Sequence, residues 1–184
     1  MSARIGRVMR PSIVALAALL SSAVPSRAQT ASAPELKAAF ILNFAKFTNW
    51  SGLQRGASVA LCVVDDDRVG TALADSTRGQ SIDGHGVEVR RLKSDGALQQ
   101  CHMVFVPGSD ARKAITRIAP VKELPVVTVS DARGFAESGG MIELFEENGR
   151  MRFAINVETV QKCGVHLSSR LLDLAKIIRN DHAH

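Results

Sequence analysis

The chain contains no tyrosine and a single tryptophan, and aromatic residues make up only 4% of its 184 residues. Aromatic side chains are scarce, so the places where several stand together mark where a core is built. G-x-S-x-G, H-E-x-x-H and C-x-x-C are all missing, which removes the hydrolase nucleophile elbow, the zincin helix and the dithiol redox pair. No internal repeat and no low-complexity linker divides the chain. Beyond residue 28, no apolar stretch approaches the ~20 residues a membrane-spanning helix needs. Cysteine is limited to three residues, an odd number that leaves at least one thiol without a partner in the same chain.

What is present begins with a leader. Arg4, Arg7 and Arg10 form a basic stretch, Ile13 to Leu20 an apolar one, and Ser26-Arg27-Ala28 a small-x-small site. Together they predict a secretory signal peptide over residues 1–28, cleaved near Ala28. Removing its four arginines from the 23 lysines and arginines leaves 19 bases against 18 acids, so most of the formal charge of +5 belongs to the leader. A near-neutral mature chain gives no support to nucleic-acid binding, which wants a basic patch on the folded domain, and no nucleic-acid partner is expected. Residues 29–184 suit one domain, which at this size buries about 70% of its unfolded surface.

Four of the aromatics, Phe40, Phe44, Phe47 and Trp50, lie in Glu35 to Trp50. Leu36, Phe40, Phe44 and Phe47 recur at helical spacing, with Ala38, Ile41, Leu42 and Ala45 as a second apolar face, so this stretch predicts a core helix. Lys37, Asn43, Lys46, Thr48 and Asn49 are expected to be wet. A two-sidedly buried strand is predicted at Val59–Val64, a loosely alternating strand nearer an edge at Val87–Leu92, and further strands at Met103–Val106 and Val126–Val129. Helices are predicted from Arg68 to Asp75 after a cap at Asp67, from Asp110 to Pro120, after Ser130-Asp131 as far as Ala136, and from Ser168 or Ser169 to the carboxyl terminus. In the last of these, Leu171, Leu174, Ala175 and Ile178 form the apolar stripe. Asn148-Gly149, between two alternating runs, predicts a hairpin. The fold class is α/β: a mostly parallel sheet flanked by helices on both faces, with an antiparallel edge hairpin near the carboxyl terminus.

Export places the cysteines in an oxidising compartment, where pairing is expected. If the strands holding Cys62 and leading from Cys101 are neighbours, those two sulfurs meet, and Cys163 is then free, buried or an intermolecular link. The carboxyl ends of the strands, where open parallel sheets hold ligands, read Asp65-Asp66-Asp67, Pro107-Gly108-Ser109-Asp110 and Ser130-Asp131. Pro107 stands where a phospho-receiver needs its acceptor aspartate, and caps and turns account for the acids. Cys101 and His102 are neighbours on an extended segment and face opposite ways, a poor nucleophile and base. No catalytic residue, metal ligand or cofactor is expected. His182 and His184 fall in a frayed end and His85 in a loop. The contact candidates are Trp50, at the far end of the first helix, and His166, Ser169 and Arg170, around the start of the last, where serines and an arginine could hold an anion.

Five segments in order, KAAFILNFAKFTNW, LCVVDDDRVG, CHMVFV, VVTVSDARGFAESGGMIELFEENGRMRFAINV and SSRLLDLAKII, resemble the YfiR-like periplasmic proteins of Gram-negative bacteria. The resemblance implies a non-enzymatic periplasmic regulator that tends to dimerise. It implies a partner as well, the periplasmic sensor domain of an inner-membrane diguanylate cyclase, which the regulator represses so that cyclic di-GMP falls. Cys62 and Cys101 match a cysteine pair of that family. The alternative is a small-ligand binding module acting on a different membrane partner.

Overall fold

The computed structural model describes residues 31–94 and 96–179; the predicted leader over residues 1–28, His182 and His184 lie outside them. Helix α1 spans Ala33–Lys46. Its first turn holds Pro34, whose fixed φ suits a helix start, and the Ser32 amide donates to the Glu35 carboxylate at 2.6 Å. Ala38, Ile41, Leu42, Phe44 and Ala45 form the buried face, so the core seam runs between the two predicted stripes and leaves Phe40 and Phe47 half-buried. Phe44 meets Phe153 edge to face at 5.0 Å, and Phe40 meets the same ring at 6.0 Å.

The helix stops short of Trp50 because its last residues find better partners elsewhere. The Asn49 amide donates to the His166 carbonyl and the Ser168 amide to the Phe47 carbonyl, both at 2.9 Å, and Thr48 bridges Leu167 in antiparallel fashion. Thr48, expected to be wet, is buried, and its hydroxyl donates back to the Phe44 carbonyl. Lys37 is also mostly covered, through an ion pair with Asp131.

The remaining elements are β1 (Val59–Val64), α2 (Asp67–Thr77), β2 (Ser81–Ile82), β3 (His85–Leu92), β4 (Met103–Val106), α3 (Ala111–Ile118), β5 (Val127–Ser130), β6 (Ile142–Glu147), β7 (Arg150–Asn156), α4 (Val157–Lys162), α5 (Ser169–Leu174) and β8 (Lys176–Ile178). They make one eight-stranded sheet ordered β2-β3-β1-β4-β5-β6-β7-β8. β3, β1, β4, β5 and β6 run parallel, β7 returns antiparallel to β6, and β8 lies parallel to β7. The hairpin turn carries Asn148 at φ 52° and Gly149 at φ 70°, the two positive values a type I′ turn requires.

β1 is buried along its whole length because helices cover both faces. Leu61, Val63, Met103, Phe105, Val127 and Val129 pack on the side of α1 and α2. Cys62, Val64, Val104 and Val106 pack on the other side with Ala114 and Ile118 of α3 and with Phe135. Alternation along each strand thus feeds two cores.

Three local expectations are corrected. The cap of α2 is Asp66, whose carboxylate accepts from the Arg68 and Val69 amides, rather than Asp67. The predicted helix as far as Ala136 is a run of turns. The Glu143 carboxylate accepts from the Gly134 and Ala136 amides at 3.1 Å, and the Asn156 side-chain amide donates to the Ala136 carbonyl at 2.8 Å, so these backbone groups are satisfied from β6 and β7 instead of along a helix axis. Finally, the last helix ends at Leu174; Ala175 is extended, and Lys176–Ile178 adds to β7 as a strand in place of continuing the stripe.

Candidate functional site

At the carboxyl edge of the sheet, most of the acids are held by neighbouring residues. Asp131 accepts from the Gly108 amide at 2.9 Å and pairs with Lys37, while Asp65 lies 3.5 Å from Arg117. The Asp110 carboxylate caps α3 by accepting from the Lys113 amide, and this bond holds its pKa below the usual carboxylate value. The buried Ser130 hydroxyl donates to the Val106 carbonyl and accepts from the Ala132 amide. Asp65, Asp66, Asp110, Ser130 and Asp131 at this edge are thus engaged in caps, ion pairs or backbone hydrogen bonds.

The opposite edge is open. At the amino ends of β1, β4 and β5 lies a groove of about 600 Å³, walled by Trp50, Leu53, Pro125 and Val165, with His102 and His166 among its polar groups. Trp50 is placed by a hydrogen bond from its indole N–H to the Ala45 carbonyl, 2.8 Å, which turns the ring back under the end of α1. His102 is placed by β-ladder chemistry. Its backbone amide donates to the Ala60 carbonyl, and its ring Nδ1 accepts from the Ala60 amide, both at 2.9 Å. A ring nitrogen that accepts carries no proton, so the imidazole proton sits on Nε2. Burial, with the positive charge of Arg90 and then His85 adding to it, lowers the His102 pKa. The Trp50 and His102 rings meet edge to face at 6.0 Å.

Of the predicted contact residues, Trp50 and His166 line this groove together, brought there by the pairing of residues 47–49 with 166–168. His166 also lines an adjoining hollow of about 470 Å³ beside Lys46, Phe47 and Asp83. Ser169 and Arg170 lie outside both, exposed on α5, whose cap is the Ser168 hydroxyl. Sequence reasoning missed Leu53, Pro125 and Val165, and weighed His102 only as a partner for Cys101. No local pattern marks them, because they meet only once three strands lie side by side.

Cys62 and Cys101 form a disulfide that ties β1 to the segment entering β4, with Cα atoms 5.9 Å apart and both residues buried. The Cys101 sulfur is therefore not a free nucleophile beside His102. Cys163 is free and buried; its thiol donates to the Lys122 carbonyl at 3.0 Å, and burial raises its pKa. Among the described residues, no group of three or more His, Cys, Asp or Glu could hold a metal ion, and no helix is long and apolar enough to cross a membrane.

No curated protein matches the chain. A solved structure, that of a conserved domain protein from Vibrio cholerae O1 biovar El Tor, is similar in fold, with 12% sequence identity and a TM-score of 0.51. The alignment covers 79% of this chain and 60% of that one, so this chain spans less than two thirds of that protein's length. A family match runs over residues 34–176, from the first turn of α1 to the start of β8. On that match, which takes in nearly every element of the sheet and both faces of helices, the chain belongs to the YfiR/HmsC-like family.

Proposed function

We propose that this protein is a periplasmic regulator that represses an inner-membrane diguanylate cyclase by binding its periplasmic sensor domain, and so lowers cyclic di-GMP. Residues 1–28 serve as the secretory leader, cut near Ala28, and residues 29–184 act as one domain that works as a homodimer. The observation that carries this reading is the family match across residues 34–176. The buried Cys62–Cys101 disulfide supports it, since such bonds persist in oxidising compartments such as the periplasm. The acids of the carboxyl edge, engaged in caps and ion pairs, fit a binding role better than a catalytic one. Pull-down of the mature protein from solubilised membranes is expected to recover a protein with a cyclase domain, and deletion of the gene is expected to raise cyclic di-GMP. Recovery of no cyclase would sink the proposal.

The groove favours a second reading, a small-ligand binding module acting on a different membrane partner. An apolar wall with a few convergent polar groups is what small ligands select, and Trp50 with His102 and His166 supplies both. Under this reading, a ligand raises the melting temperature of the parent protein but not of a His166→Ala variant, and gene deletion leaves cyclic di-GMP unchanged.

A further inference from the structure

The two ends of the sheet differ. At one end, β2 is two residues long, its Ile82 is buried, and it turns at once through Asp83 and Gly84, both at positive φ. That strand covers only His85 and Gly86, so residues 87–92 of β3 also lack an outer strand neighbour within the described sheet, but there Arg90 is paired with Glu88. At the other end β8 is the last strand, so its outer row of backbone donors and acceptors has no neighbour within the described sheet. The exposed large apolar side chains of the described residues are Leu124, Leu174 at 70% and Ile177 at 37%, and two of these three stand at β8. Residues 170–179 hold Arg170, Lys176 and Arg179 against one acid, Asp173, and none of the three cations makes an ion pair among the described residues.

An open edge, uncovered apolar groups and unpaired cations together define what fits. A second copy fits badly, because residues 170–179 carry three cations against one acid, so pairing this segment with itself brings together two stretches of the same net charge. An extended acidic segment of another protein satisfies all three features at once: its backbone continues the ladder, its apolar side chains cover Leu174 and Ile177, and its carboxylates meet the cations. We infer that β8 is the docking edge of this regulator, to which an extended acidic segment of its membrane partner adds as a ninth strand. This rests on the regulatory reading above and supplies the surface through which it operates.

The test uses the full chain in its native host, with a photo-reactive benzophenone amino acid in place of Ile177 and, as a control, in place of Arg112 on the exposed side of α3. Position 177 is expected to cross-link to an acidic segment of a membrane protein carrying a cyclase domain, and position 112 is not. Combining the probe with Lys176→Glu and Arg179→Glu is expected to cut the yield about tenfold, because like charges then face the acidic segment. An unchanged melting temperature shows that the fold is kept, and Arg179→Glu alone, beyond the end of the strand, moves the yield the same way if the double variant is unstable. Cross-links to a second copy, to residues 1–30 of the same chain, or of undiminished yield after charge reversal overturn the docking edge. So does the absence of any cross-link at 177. If a probe at Leu53 in the groove captures the cyclase while 177 captures nothing, the edge falls and the cyclase reading stands. If 177 captures, in a charge-sensitive way, a membrane protein without a cyclase domain, the edge stands and the cyclase reading falls.

Discussion

His102 does two things at the base of the groove: its backbone extends the β1–β4 ladder, and its ring takes the Ala60 amide that the ladder would otherwise leave open. Protonating Nδ1 breaks the second bond and sets a positive charge against an N–H donor. The pKa is lowered on folding, so the folded chain holds fewer protons than the unfolded chain between the folded value and about 6.5. Stability from this group is therefore present in full above about pH 6.5 and is lost as pH falls through the folded value. A His102→Gln variant is expected to show a flatter profile in that window when urea midpoints are measured across pH. A parallel profile would show that His102 does not carry the slope. Phe44, 1% exposed and edge to face with Phe153, is the matching apolar case. Phe44→Ala should cost about 3–5 kcal/mol in chemical denaturation, and a loss well under 1 kcal/mol would mean that the seam of α1 lies elsewhere.

At the scale of elements, the turns of residues 131–140 show how tertiary partners replace local ones. Glu143 and Asn156 reach from β6 and β7 to hold this segment, and Gly140 lets it close over Phe135. A Cβ on Gly140 would stand 2.1 Å from a Phe135 ring carbon, and Phe135 is fully buried. Gly140→Ala is thus expected to destabilise by about 1–3 kcal/mol through overpacking. A neutral result in thermal melts would show that the ring can move aside. β1 and β4 were legible because each is a short apolar run bounded by turn formers. Val59–Val64 and Met103–Val106 have the expected bounds. The hairpin was legible from Asn148-Gly149, where local φ requirements decide the turn. The end of α1, the turns after Ser130 and β8 were not. In each case, a backbone that could have continued as helix is claimed by a distant segment: residues 166–168, β6 with β7, and β7 alone.

For the whole molecule, the disulfide is the main covalent constraint, closing a loop with a sequence separation of 39 across the sheet's central strands. Cys62→Ala together with Cys101→Ala is expected to cost about 2–4 kcal/mol by the loop-entropy argument. Equal denaturation midpoints for the oxidised parent and the double variant would show that the bond adds nothing. The candidate site was half legible. Trp50 stands out as the only tryptophan and His166 as a polar residue beside a helix cap, and both line one groove. Periodicity, turn chemistry and the ordered family segments in the sequence by itself determined the α/β class, the strand runs and the family, because these depend on neighbours a few residues away. Only the tertiary structure decided that a groove lies at the amino ends of the strands while most acids at the carboxyl ends are engaged in caps and ion pairs, that Ser169 and Arg170 stand apart from Trp50 and His166, and that β8 is the last strand of the described sheet. The reason is physical: which edge is filled and which is bare depends on pairing between segments some forty to more than a hundred residues apart, such as Ala60 with His102 and Asn49 with His166, and no local propensity encodes it.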